Sequence, residues 1–288
     1  MENTTNNELW EILTALKRNE IEISLNTKNK KINPNASKIG GKPFLPKDFV
    51  WPYFYGESYD DGWGNRPLSF ICQINIDEAK IYDKENLLPE KGMLYFFYES
   101  ASQPWGFDTK DAGCARVFYY ESTEGFEALD FPEELGEEFR LKEIAVKFSG
   151  KDSYPTFEEF DVYSDFDCDW DEYDEMLEEL GIDTEEMEKS KLLGYANLVQ
   201  GEMLTECERT SRGLYCGDHE SYVNTPEEVQ NDIAAHAKDW VLLCQICSFY
   251  SGDFELMFGD CGMIYFYIKK EDLKNKNFDK IWLVLQCG

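Results

Sequence analysis

Between Glu158 and Glu188 the sequence places 16 acidic residues in 31 positions, with no Lys or Arg among them. Within that run Asp165, Asp167, Asp169 and Asp171 alternate, the spacing of a calcium loop. An EF-hand loop needs Gly at its sixth position for a sharp turn and Glu at its twelfth as a bidentate ligand. Counted from Asp165 those positions hold Trp170 and Met176, and counted from Asp167 they hold Glu172 and Glu178. The run therefore predicts a charged surface and not a calcium site. Its plainest form is a solvated helix face. Phe160, Phe166, Trp170 and Tyr173 are threaded through it, however, which predicts an ordered segment in place of a disordered tail. An ordered surface carrying Asp165, Asp167, Asp169, Asp171 and Asp174 suits docking on a basic groove of another protein, with association steered by charge and weakened by salt.

Other chemistry-bearing residues are sparse. The chain has two histidines, His219 and His236, and no Gly-x-Ser-x-Gly elbow, so no nucleophilic triad is legible. Nine cysteines include one Cys-x-x-Cys, Cys244 to Cys247. A zinc site would need a second such pair or two histidines at suitable spacing, and Cys207, Cys216, His219 and His236 match no standard pattern. Positions three apart in a strand also face opposite ways. The cysteines read as reduced core thiols, and no metal is predicted. Gly40-Gly41-Lys42 lacks the spacing of a phosphate loop. His236 falls seven residues after Val229 on an apolar helical stripe and reads as a core histidine. His219, between Asp218 and Glu220, reads as a loop residue. No cofactor is implied and no catalytic residue is assigned.

Two glutamines stand in near-identical apolar strands, Gln73 in "LSFICQI" and Gln245 in "WVLLCQI". Strict alternation puts Leu68, Phe70, Cys72 and Ile74 on one face and Ser69, Ile71 and Gln73 on the other. A buried amide needs partners for both its carbonyl and its NH2. Either each glutamine ties down an irregular loop of its own half, or the pair lines a cleft between the halves and reads a polar ligand, with Asp260 nearby. Asp260, in Gly259-Asp260-Cys261-Gly262, also suits a plain turn.

The elements that must position these residues are legible from periodicity. Leu9, Trp10, Ile12, Leu13 and Leu16 predict an N-terminal helix, followed by the strand-like "EIEISL". "SKIGGKPFLPKDFVWP" reads as an ordered loop broken by Gly and Pro. "LSFICQINI", "GMLYFFYE", "ARVFYYE" and "EIAVKFSG" read as strands. Tyr173, Met176, Leu177 and Leu180 predict an amphipathic helix that stops at Gly181. Thr225, Pro226 and Glu228 predict a capping box for a helix carrying Val229, Ile233 and Ala237. "VLLCQICSF", "FELMF", "GMIYFYI" and "IWLVLQC" are the closing strands.

Three stretches recur in order. Ser37-Lys38-Ile39-Gly40-Gly41 has a partner in Ser190-Lys191-Leu192-Leu193-Gly194, "ICQI" in "LCQI", and "GMLYFF" in "GMIYFY", displaced by 153, 172 and 170 residues. This predicts an internally duplicated α+β fold of antiparallel or mixed sheets with flanking helices, in two pseudo-symmetric halves. The halves are placed at 1–150 and 151–288, the second carrying the acidic helical insertion 158–188.

Charge narrows the partners. The net charge is −30, split as −9 over residues 1–150 and −21 over 151–288. Such a surface repels nucleic acid and anionic membranes and attracts basic proteins. The apolar runs are strand-sized, short of the roughly 20 residues a membrane span needs. The polar start of the chain lacks the order of a secretory signal. A cytoplasmic protein is expected.

"SKIGGKPFLP…WP", "PLSFICQI", "LPEKGMLYFF", "LLGYANLVQGEM", "WVLLCQI", "GDCGMIYF" and "LVLQCG", in this order from about residue 37 onward, resemble the YwqG-like family, a bacterial domain family of unknown function. The resemblance implies a duplicated α+β fold and carries no catalytic residues. It also implies a loose association with genes for secreted toxins, for which an immunity role has been suggested. Together with the charge, it leads to a non-enzymatic, immunity-type inhibitor of a basic partner such as a secreted toxin. The alternative is a small-molecule binder or enzyme using a cleft near Gln73, Gln245 and Asp260.

Overall fold

The computed structural model describes residues 2–28, 31–58, 62–182, 189–251 and 254–288. Its first elements are α1 (Glu2–Leu16), β1 (Arg18–Asn26), β2 (Lys38–Ile39), β3 (Ser69–Asn75), β4 (Met93–Tyr98) and β5 (Ala115–Tyr120). They are followed by β6 (Ile144–Ser153), α2 (Phe157–Tyr163), α3 (Trp170–Glu179), β7 (Ser190–Leu193), α4 (Leu204–Ser211) and α5 (Glu227–Ala237). The chain closes with β8 (Trp240–Cys247), β9 (Met263–Lys269) and β10 (Trp282–Gln286).

The ten strands form one sheet in the order β10-β9-β8-β7-β1-β6-β2-β3-β4-β5. Every neighbouring pair in it is antiparallel. With its flanking helices this is a mixed α+β fold. The centre of the sheet is the long pair β1 and β6, joined from Arg18 opposite Ser153 to Asn26 opposite Ala145. Each of these strands pairs outward with the short strand that follows the other one in sequence: β1 with β7, and β6 with β2. Residue 150 lies inside β6.

The two arms leave this centre in the same register. Lys38 and Ile39 face Gln73 and Cys72, just as Lys191 and Leu192 face Gln245 and Cys244. Gln73 and Cys72 then face Tyr95 and Phe96, as Gln245 and Cys244 face Tyr265 and Phe266. Both arms also carry a bulge at the same place, between Phe70 and Cys72 and between Leu242 and Cys244. The bulge overturns strict alternation along these strands. An extra residue on one side shifts the pleat by one, so Phe70 shares a face with Gln73 and not with Cys72. Leu242 likewise packs with Tyr265 and Tyr267 on the Gln245 side.

The sheet bends so that its two arms meet across one core. Phe96 and Phe266 touch edge-on with centroids 5.1 Å apart, and the buried Cys72 lies against Cys244. Burial, and then Cys72, push the Cys244 thiol well above its ordinary value. Cys247, three positions along β8, belongs to a separate core on the opposite face, with Met203, Leu204, Cys207 and Ala237. A third core joins α1 to the acidic segment through Leu9, Leu13, Phe160, Tyr173, Met176 and Leu177.

Two local expectations change. Thr225 does not cap α5, whose N-cap is Pro226 with no side-chain bond. The short helix His219–Val223 ends just before it, and the Thr225 hydroxyl donates to Ser221 O at 2.7 Å. His236 is exposed, with Nδ1 2.8 Å from Asp232 O. The buried stripe of α5 runs through Ile233 and Ala237, one turn apart, and position 236 is turned about 80° from its midline.

Candidate docking surface and neighbouring sites

The acidic segment is built on an apolar underside. Thr156 caps α2 by accepting from Glu159 N, and Asp169 caps α3 in a reciprocal box with Glu172. Phe160 and Tyr173 pack with ring centroids 5.1 Å apart, and Tyr173 Oη donates to Pro155 O at 2.7 Å. With this underside held against α1, Asp165, Asp167, Asp169 and Asp171 are exposed and Asp174 is half-buried. Trp170, at the first turn of α3, stands 57 % exposed. Residues 183–188 of the run lie outside the described residues. Among the described residues no group of three His, Cys, Asp or Glu side chains is placed to hold a metal ion.

Beside α3 is a cavity of about 350 Å³. Trp170, Tyr173 and Leu177 wall one side and Asn197 to Gln200 the other, while Glu20, Lys189 and Lys191 line its base. Glu20 and Lys191 form a buried ion pair at 2.7 Å, and Lys189 reaches the same carboxylate at 3.0 Å. Burial tends to raise the Glu20 carboxyl, but Lys191 and then Lys189 reverse this and hold it below the usual range. In the other arm Lys38 and Glu143 repeat the pair at 2.5 Å, with the Glu143 side chain 41 % exposed. A glycine with positive φ lies against each glutamate side chain. A Cβ at Gly41 would come within 2.6 Å of the Glu143 side chain, and one at Gly194 within 2.7 Å of that of Glu20.

Under α2 lies a carboxyl group the charge pattern did not single out. Glu159 is 2 % exposed and its Oε2 has no hydrogen-bond partner. Burial drives its pKa up to about 8, against the pull of Arg18 and Lys191. The Arg18 guanidinium lies 4.2 Å from the Tyr195 ring centroid and 4.9 Å from that of Tyr163. Glu206, on α4, is likewise raised to about 7 by burial, with Glu202 and Asp111 adding to the effect. In sequence, a glutamate inside an acidic run reads as solvated; only the packing of Phe160 against α3 turns Glu159 inward.

Gln73 and Gln245 are fully buried and serve separate networks. Gln73 Oε1 accepts from Phe44 N at 3.0 Å, and its Nε2 donates to Pro34 O and Ala36 O. Gln245 Oε1 accepts from Asn197 N at 3.0 Å, and its Nε2 donates to Lys189 O at 2.7 Å. The tyrosines facing them complete the match: Tyr95 Oη donates to Phe44 O and Tyr265 Oη to Asn197 O. Asp260 sits exposed in a turn beside Cys261, whose φ is +53°. The structure does not bring it together with either glutamine in a shared network. A third buried amide, Gln286, holds the backbone of Val199, Gln200 and Gly201.

The fold is thus a bent antiparallel sheet whose buried amides anchor loops and whose acidic helices cover one side. The chain belongs to the family described as a domain of unknown function (DUF1963), which matches residues 37–287. No curated protein matches the chain. No helix among the described residues is long and apolar enough to cross a membrane.

Proposed function

We propose that the protein is a non-enzymatic binding protein whose acidic segment docks on a basic protein, as an immunity-type inhibitor would cover a secreted toxin. The observation that carries this reading is the division of labour in α2 and α3. Their apolar side chains are pinned to α1, while Asp165, Asp167, Asp169 and Asp171 face solvent beside an exposed Trp170. A surface that is already ordered loses little conformational entropy on binding, and a net charge of −30 steers a basic partner toward it. The nine free cysteines support a reducing, cytoplasmic setting.

We also infer that the chain is two copies of one unit, β1 to β5 and β6 to β10, each lending its first strand to the other's arm. The shared registers, bulges, ion pairs and amide networks support this reading. It moves the boundary from residue 150 to the loop before Ile144. The finer YwqG-like assignment rests on the quoted motifs.

The test is association with the purified product of the adjacent gene, followed by biolayer interferometry at low and high salt. Asp165→Asn, Asp167→Asn, Asp171→Asn and Asp174→Asn together should slow association by about tenfold or more at low salt and much less at high salt. No binding, or an unchanged association rate, would sink the reading. The small-molecule alternative moves away from Gln73 and Gln245, whose amides are engaged within the protein, toward cavities elsewhere.

A further inference from the structure

A cavity of about 480 Å³ opens between the ribbon Tyr53–Ser58/Gly62–Pro67 and the loop that follows β4. Its walls are aromatic: Phe54 and Trp63 from the ribbon, and Trp105 and Phe107 from the loop. Trp63 is 53 % exposed and packs on Tyr55 at 5.7 Å between centroids, so its indole forms an open side of the chamber. Among the described residues its charged lining is Glu57, Asp108 and Asp111 against Lys110, with the Arg66 guanidinium behind it on Gly56 O and Ser102 Oγ and paired with Glu99. Lys110 lies 3.6 Å from Asp108, which leaves the lining with an excess of two negative charges.

The loop is held before any ligand arrives. Asp111 Oδ2 accepts from Gly106 N at 2.8 Å, and Glu99 accepts from Ala101 N and Ser102 N, both at 3.0 Å. The C-terminal arm grips the same loop. Leu285 N donates to Trp105 O and Trp282 Nε1 donates to Gly106 O, both at 2.9 Å, and Cys216 N donates to Phe107 O. Gly106 approaches β10 so closely that a Cβ there would lie 2.0 Å from Leu283 O. The aromatic faces and the carboxylates are therefore preorganised.

Four aromatic side chains alone would suit any apolar group, and carboxylates alone would be a solvated patch. Together they select positive charge. The face of an indole attracts a cation through its quadrupole, and the attraction grows when the site is partly desolvated. The partly buried Asp111, which burial raises above its ordinary range, gains most from a cation that offsets that burial. An anion is repelled by the same lining. We propose that the cavity between Trp63, Trp105, Phe107, Asp108 and Asp111 is a receptor for an organic cation, a protonated alkylamine borne by a lysine side chain or by a free polyamine. This site is distinct from the acidic helices, and the inference stands whether or not those helices dock on a partner.

Isothermal calorimetry on the full chain tests it with three probes: a capped Gly-Lys-Gly peptide, spermidine, and the same peptide acetylated on its lysine. The two cations should bind saturably and the neutral acetylated peptide at least about tenfold more weakly. Tighter binding of the peptide would assign the polypeptide source, and tighter binding of spermidine the free amine. Trp63→Ala, on an exposed ribbon, and Asp111→Asn, which keeps an acceptor for Gly106 N, should each weaken binding by about tenfold with unchanged thermal unfolding. Absence of saturable binding by both cations, equal binding of the acetylated peptide, or full affinity in both variants would overturn the proposal.

Discussion

Glu20 and Lys191, 171 residues apart in sequence, meet at 2.7 Å with both side chains 2 % exposed. They join β1 to the short strand β7, two residues off directly opposed register. A buried ion pair is not in itself stabilising, but removing one partner leaves a charge without compensation. Lys191→Met, which leaves Lys189 in contact with the Glu20 carboxylate, should therefore cost up to about 3–5 kcal/mol of unfolding free energy, more than Lys38→Met, whose partner Glu143 keeps contact with water. The folded Glu20 carboxyl is held below its ordinary range. Its contribution is thus present above that range and is lost as pH falls through the folded value. Urea denaturation of Lys191→Met between pH 3 and 7 should show a weaker acid dependence than the parent chain; parallel curves would refute the linkage.

Much of this centre was written in the sequence and much was not. "EIEISL" and "EIAVKF" both begin with a Glu-Ile whose glutamate pairs with a lysine, yet Lys191 lies 171 residues from Glu20 and Lys38 lies 105 from Glu143, where no local pattern points. Tyr173, Met176 and Leu177 are buried as their helical spacing requires. The amides of Gln73 and Gln245 were legible as buried, because their neighbours are apolar. The bulges after Phe70 and Leu242 were not, since an apolar run gives the same periodicity with or without an inserted residue. The aromatic cavity escaped for a similar reason. Trp63 and Trp105 lie in stretches without regular spacing, and only the fold sets them together.

Glu159 gives the opposite pH signature to Glu20. Its folded pKa, raised to about 8 by burial, lies above its unfolded value. The unfolded chain therefore loses this proton first as pH rises. Stability associated with the neutral acid is full below the ordinary carboxylate range, declines progressively up to about pH 8, and declines no further above it. Glu159→Gln should remove that slope and stabilise the protein by a few kcal/mol at pH 8, with little effect at pH 4. Thermal unfolding across this range is the measurement. A variant destabilised equally at both pH values would show that the carboxyl is held ionised by Arg18.

The family match starts at residue 37, after β1, yet β1 sits inside the sheet between β6 and β7. Ile21 and Ile23 are buried in the main core, and Leu9 and Leu13 of α1 support the acidic helices. A chain beginning at Ser37 would expose two strand edges and lose these side chains, each of which contributes about 1.5–3 kcal/mol when fully buried. Several such losses are comparable with the usual 5–15 kcal/mol margin of a domain. The shortened chain should be insoluble or lack a cooperative melt by circular dichroism, and a cooperative melt within a few degrees of the parent would contradict this placement of β1.

The two glutamines yield the last prediction, because their equivalence is quantitative. Gln73→Leu leaves Phe44 N, Pro34 O and Ala36 O without their buried partner, and Gln245→Leu does the same to Asn197 N and Lys189 O. These backbone groups are only partly buried, so orphaning each costs toward the low end of about 1–3 kcal/mol and each variant should lose about 2–4 kcal/mol in urea denaturation. The networks share no atom, so the double variant should lose the sum to within about 0.5 kcal/mol. Amides kept for a ligand would behave otherwise. Their loss would leave the free protein as stable as before and reduce only its stabilisation by that ligand. Two near-equal, additive losses in the absence of any ligand would identify both residues as the anchors of their own loops.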